Sequence, residues 1–128
     1  MATFLSEDYM IEATGVLGAS SQFSQAISGV ELGLQFVVSD HPGEGELGWY
    51  LSISEGKATM SRGELEAADV TVTNTYETAV GISKGELNTQ MAFMTGKLKV
   101  AGNMAKLMMN QNVINEFAHA LADLDIEY

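Results

Sequence analysis

Residues 32–61 read LGLQFVVSDHPGEGELGWYLSISEGKATMS, and the period of this stretch decides the fold. Leu32, Leu34, Phe36 and Val38 alternate with Gly33, Gln35 and Val37. Leu47, Trp49, Leu51 and Ile53 alternate with Gly48, Tyr50, Ser52 and Ser54, and Ala58 and Met60 with Thr59 and Ser61. Strand side chains change face at every residue, so each run presents an apolar face inward and a polar one outward. DHPGEGE at 40–46 and EGK at 55–57 supply the turn residues.

The same period recurs further along. Val70 and Val72 alternate with Thr71 and Thr73, and Leu98 and Val100 with Lys97 and Lys99. Five strands of this kind predict an antiparallel or mixed sheet with one wet and one covered face, its first four strands joined by hairpins or short connections. Helical spacing supplies the cover. Ser6 is placed to cap a first helix, and Met10, Ala13, Thr14, Leu17, Phe23 and Ile27 recur along it until Gly29. Asn74 with Glu77 resembles a capping box opening YETAVGIS (76–83), which Gly85 closes. Asn88 caps a short helix running to Met94. Asn103 opens a long last helix with Met104, Leu107, Met108, Ile114, Phe117, Leu121 and Leu124 on one side. The expected fold is α+β in two layers: a five-stranded, mostly antiparallel sheet with helices covering one face, all in a single domain over residues 1–128.

Composition excludes several functions. The chain has 128 residues, 46% hydrophobic, with seventeen acidic and six basic side chains and a net charge of −11. Such a field repels nucleic acid, and no basic stripe tracks a phosphate backbone. It is also expected to weaken docking to anionic membranes, leaving at most transient membrane contact. There is no cysteine, hence no disulfide, thiolate metal site or thiol nucleophile. The opening MATFLSEDYM lacks the regions of a signal peptide and no apolar run approaches the length of a membrane span, so a cytoplasmic protein is expected.

Catalytic patterns are missing as well. No serine occurs in a G-x-S-x-G elbow, and His41 and His119 are the only imidazoles. Asp40, His41, Glu44 and Glu46 lie in one loop without the spacing of a calcium site, and read as an acidic hairpin turn. His119 falls about 200° from Phe117 on the last helix and should be solvated. Asp123, Asp125 and Glu127 read as a solvated tail. Gly96-Lys97 is no phosphate loop, because Met91 stands where the motif requires glycine and Leu98 where it requires Ser or Thr. No enzyme activity, cofactor or metal is expected.

Five of the eight methionines fall within residues 91–110. Methionine is unbranched and polarisable and adapts to what it touches. Two readings follow from this: a core filled with soft side chains, or a cavity between sheet and helices for apolar ligands. Periodicity does not choose between them.

KGELNTQMAFMTGKLKVAGNMAKLM (84–108) carries a family resemblance. Gly85, Asn88 to Gln90, Ala92 to Met94, Gly96 to Lys99 and Gly102 are similar to the motifs of the sterol carrier protein type-two domain family. Thr89 stands where proline is frequent. Upstream, Phe36, the tryptophan of GELGWYLSI and the aspartate of ADVTVTN resemble the family too, so the similarity runs from about Gly29 to Leu121. The resemblance implies a stand-alone, bacterial member with an apolar tunnel between sheet and helices. It further implies non-catalytic carriage of fatty acids, fatty acyl-CoAs, sterols or isoprenoid-like lipids. The ending Ile126-Glu127-Tyr128 does not match the peroxisomal tripeptide of eukaryotic relatives.

On that basis Phe36, Trp49, Leu51, Met60 and Val72 are expected to line the ligand site from the sheet. Met91, Met94, Met104, Leu107, Met108 and Phe117 are expected to line it from the helices. A small apolar lipid is the expected partner. The other reading is an interaction or scaffold domain with a filled core and a protein partner. The oligomeric state stays open.

Overall fold

The computed structural model describes residues 2–122 and 124–128. In chain order it contains β1 (Ala2–Thr3), α1 (Glu7–Ala19), α2 (Ser21–Ala26), β2 (Leu32–His41), β3 (Gly45–Ser54), β4 (Lys57–Arg62) and β5 (Val70–Thr75). There follow α3 (Tyr76–Ser83), α4 (Thr89–Met94), β6 (Lys99–Gly102), α5 (Met104–Met109), α6 (Gln111–Leu121) and β7 (Ile126–Glu127). The five expected strands form one sheet in the order β4-β3-β2-β5-β6. Every pairing is antiparallel except the central β2–β5, which is parallel.

Register places the apolar residues together. Phe36 stands opposite Trp49 on β3 and Val72 on β5, Leu34 opposite Leu51 and Val70, Leu51 opposite Met60, and Val72 opposite Val100. This covered face meets α1, α2 and α6, where Ala13, Leu17, Phe23 and Val113 are buried. The rings of Phe23 and Phe117 lie 6.5 Å apart.

Two hairpins join β2 to β3 and β3 to β4, but the β4–β5 connection is not of that kind. Because β4 and β5 flank the β3–β2 pair, residues 63–69 must cross three strand spacings, about 14 Å, well within the reach of seven extended residues. They do so over the outer face. The Gln35 amide nitrogen donates to the carbonyls of Gly63 (3.0 Å) and Trp49 (3.1 Å), and its oxygen accepts the Leu65 N–H (2.6 Å). The face expected to be wet is therefore strapped, and Gln35 is buried beneath the strap.

The β4 edge is covered differently. The Thr14 hydroxyl accepts the Met60 N–H at 2.9 Å and donates to the Met60 carbonyl at 3.3 Å, so α1 satisfies the backbone groups of Met60 within the β4 edge. Thr14→Val keeps the shape and removes both bonds. It should lower stability by about 1–2 kcal/mol in urea unfolding and speed hydrogen exchange at the Met60 amide. Unchanged exchange there would show that α1 does not seal this edge.

Several boundaries differ from expectation. The first helix breaks at Ser20, whose extended backbone (φ −83°, ψ 114°) and hydroxyl, accepting the Phe23 N–H, start α2. The apolar period runs through this break because α2 packs on the same core. The last helix likewise divides at Asn110 (φ −110°, ψ 27°) into α5 and α6, and Asn110 donates its amide back to the Lys106 carbonyl. Thr75, not Asn74, caps α3 by accepting the Thr78 N–H. Ser6, Asn88 and Asn103 cap as expected, accepting from Tyr9, Met91 and Lys106.

The parallel pair β1–β7 was not foreseen. It brings the two ends of the described chain together, and Phe4 packs there against Tyr9 (5.3 Å) and Tyr128 (5.2 Å). Burial pushes the Tyr9 phenol well above its ordinary pKa, with the nearby Tyr128 adding to the effect. Glu127 lies in β7, and Asp123 of the supposed tail lies outside the described residues. No helix among them is long and apolar enough to cross a membrane.

Candidate functional site

Alternation along β2, β3 and β5 aims one row of large side chains at the helices. Phe36 and Trp49 stack face to face, centroids 4.0 Å apart and planes within 6°, because register sets them directly opposite each other. Trp49 and Val72 are each 9% exposed, Leu51 is fully buried and Phe36 is half-buried. Together these four make an apolar floor across the centre of the sheet. Met60 is also buried, but on β4, the strand edge beneath α1.

The helical candidates separate into two groups. Phe117 packs against Phe23 at the α2–α6 contact. Met91, Met94, Met104, Leu107 and Met108 belong to α4 and α5, which flank β6 at the opposite edge of the sheet from Met60. The eleven residues thus fall on the floor, on the two helices that flank β6, and, for Met60 and Phe117, on β4 beneath α1 and at the α2–α6 contact.

The flanking helices are unusual in what they leave uncovered. Ala92 is the residue α4 buries among its described side chains, and α5 buries none. Met91 is 56% exposed, Met94 76% and Met108 69%. Phe93 and Met109, which the helical stripe did not select, are also exposed. Sequence could have marked them only by their position beside the chosen methionines.

What holds this edge is polar. Asp69 accepts the Gly33 N–H (2.8 Å) and pairs with Lys106 on α5 (3.1 Å), while its own carbonyl accepts the Asn103 N–H (2.8 Å). One residue thus joins β2, β5 and the start of α5. Lys97 and Lys99 are exposed and Leu98 is buried, as the alternation predicts.

Three polar atoms are buried without a partner among the described residues: Trp49 Nε1 on the floor, Asn74 Oδ1 near the end of β5 and His41 Nδ1 at the end of β2. His41 leaves the acidic loop to meet Tyr76 edge-on at 4.9 Å, whereas His119 is solvated. Among the described residues no three His, Cys, Asp or Glu converge as metal ligands. The two best-formed depressions are shallow grooves of about 290 and 380 Å³ along α2 and α6. Gln22 borders both, and none of the eleven residues lines either.

The sequence profile of the SCP-2 sterol transfer family matches residues 16–115, which include the floor, the Asp69 junction and both flanking helices. The chain belongs to that family. Among curated SCP-2 relatives, sterol carrier protein 2 of Gallus gallus is 35% identical over 92 residues, covering 72% of this chain and 16% of that protein. The chain therefore spans only about a sixth of the length of such relatives. A crystal structure of sterol carrier protein 2 has the same fold at a TM-score of 0.79 and 22% identity, covering 95% of this chain and 99% of the other. The solution structure of sterol carrier protein domain 2 of Helicoverpa armigera is similar at a TM-score of 0.69 and 29% identity, covering 94% and 90%. The SCP-2 fold of these proteins is the two-layer α+β arrangement expected from the alternation in residues 32–61.

Proposed function

We propose that this chain acts in the cytoplasm as a non-catalytic carrier of a small apolar lipid, held between the sheet floor and helices α4 and α5. The observation that carries the reading is the mismatch between those helices and the sheet. Met91, Met94 and Met108 are exposed, α4 fully buries only Ala92 among its described side chains and α5 only half-buries Leu107 against the core, so few side chains hold these helices to the floor. Their thin packing lets a ligand part them from the sheet and take up contacts that their methionines now leave to solvent. Phe36, Trp49, Leu51 and Val72 then meet the lipid from below, with Met104 and Leu107 above and Met60 and Phe117 at the far end. Membership of the SCP-2 sterol transfer family supports the same reading.

The energetics favour a chemically plain site. Burying about sixteen methylenes gains roughly 12 kcal/mol before ordering costs. An exposed charge pair at a head group adds only about 0.2–1 kcal/mol. The tail sets affinity, and the site accepts varied heads.

Trp49 reports on this directly, because it lies in the floor and is the only tryptophan. Saturating palmitate should change its fluorescence, and native mass spectrometry of freshly purified protein should show a retained lipid mass. Unchanged fluorescence together with lipid-free protein would sink the carrier reading. A second reading has its own support: Leu51, Met60 and Val72 are buried and the best-formed grooves lie elsewhere, as in a scaffold with a filled core. An empty protein found with a stable partner would favour that alternative.

A further inference from the structure

Register draws one row of side chains across the covered face, from Val100 through Val72, Phe36 and Trp49 to Arg62. Directly opposed residues share a face, so the row is apolar on four strands and basic on the fifth. Trp49 places a polar atom inside the apolar part. It is 9% exposed, its indole nitrogen can only donate, and Nε1 is buried without an acceptor among the described residues. Buried donors are nearly always bonded, because an unmet one keeps the full cost of leaving water. The adjoining side chains on this face do not meet it. Phe36, Leu47 and Leu51 have no acceptor to offer, and Arg62 is itself a donor, held by the Glu44 carboxylate. A buried water is held by about two to four polar partners, and one donor beside an occupied guanidinium falls short of that.

We propose that Trp49 Nε1 is a specificity-determining donor, which selects among apolar lipids those carrying a neutral acceptor oxygen (a ketone, ester or ether) along the body of the chain. The inference rests on the carrier reading and names what its ligand must contain. The position of the oxygen follows from topology. β3 lies inside the sheet, between β4 and β2, so the donor meets the ligand away from a head group at the rim. The absence of charge follows from electrostatics. A carboxylate buried here needs a cation, yet Arg62 is already paired with Glu44, and Asp40 and Glu46 in the same turn add like charge. A carbonyl or ether oxygen accepts the indole proton without that conflict. Head groups stay varied because they do not reach the donor. A hydrocarbon of the same length leaves Nε1 unmet, which is how a site built to hydrogen-bond rejects an analogue that lacks the partner.

The test compares dihexyl ketone, tridecane and tridecanoate, which share one chain length and carry a central oxygen, none, or a terminal carboxylate. The only tryptophan gives a single indole N–H signal in a proton–nitrogen NMR spectrum. Saturating dihexyl ketone should move that signal downfield, as a new hydrogen bond does. Tridecane fills the same space and should produce only the smaller change of apolar contact. Trp49→Phe keeps an aromatic ring without the donor, and should weaken the ketone roughly three- to tenfold more than tridecane. A merely structural role for Trp49 would weaken both alike. Glu44→Gln frees Arg62 and should tighten tridecanoate about threefold while leaving the ketone unchanged. An indole signal that answers ketone and alkane alike, equal losses in Trp49→Phe, or tridecanoate indifferent to Glu44→Gln would each overturn the inference. The two proposals fail separately. Ligands that bind without distinguishing the indole signal sink this inference alone, whereas protein that takes up neither these ligands nor palmitate sinks the carrier reading with it.

Discussion

Gly102→Val should cost this protein a large part of its stability, about 2–6 kcal/mol, and lower its Tm by about ten degrees or more. Gly102 has φ +118°, a conformation that side chains with a Cβ avoid. An added Cβ would collide with the Asp69 carbonyl oxygen and lie 3.0 Å from the Val70 Cα, both backbone atoms that cannot swing aside. The strain falls where β6 leaves the sheet, opposite Val70, and where Asn103 donates to the same carbonyl. Relief requires Asp69 to move, which loosens its bonds to Gly33 and Lys106 and frees the start of α5. Thermal denaturation followed by circular dichroism measures the loss. A Tm within about two degrees of the unmodified protein would mean that the edge adjusts at little cost.

Gln35→Met should cost about 2–4 kcal/mol, although its length and volume nearly match. The amide spans the gap between sheet and strap, and its loss strands the Leu65 N–H and the Gly63 carbonyl near a buried surface. The strap then rests on little else along its middle: Gly33 makes room for Leu65, and the Asp69 N–H holds the far end through the Gly33 carbonyl. Urea unfolding should show the lower stability, and limited proteolysis should show faster cleavage within residues 63–68. An unchanged midpoint with unchanged cleavage would assign the strap's hold to other contacts.

These two residues also mark what sequence could and could not disclose. Alternation around Phe36, Trp49 and Val72 announced five strands and their faces, because one buried face imposes a period of two. It said nothing of Gln35, which reads as an ordinary outward polar residue until the strap is seen above it. The breaks at Ser20 and Asn110 were hidden because apolar spacing continues across them. Serine and asparagine also occur inside helices, and only backbone angles show that these two serve as caps. The spacing to Glu77 points to Asn74 as the cap, yet β5 runs through Thr75, placing Asn74 opposite Val38. Two-residue strands such as β1 and β7 have no period to detect. For the candidate site, the motif pointed to α4 and α5, but the exposure of Met94 and Met108 depends on packing that no spacing rule contains.

The sealing of β4 by Thr14 has a consequence for growth. A sheet with two bare edges can add copies at both ends and lengthen without limit. Here α1 sits on the β4 end at Met60, so within the five-stranded sheet of the described residues β6 is the edge left open, and two chains meeting there leave no further strand of that sheet to extend. Edge-to-edge growth of the five-stranded sheet should therefore stop at a pair for as long as one threonine holds its helix against β4.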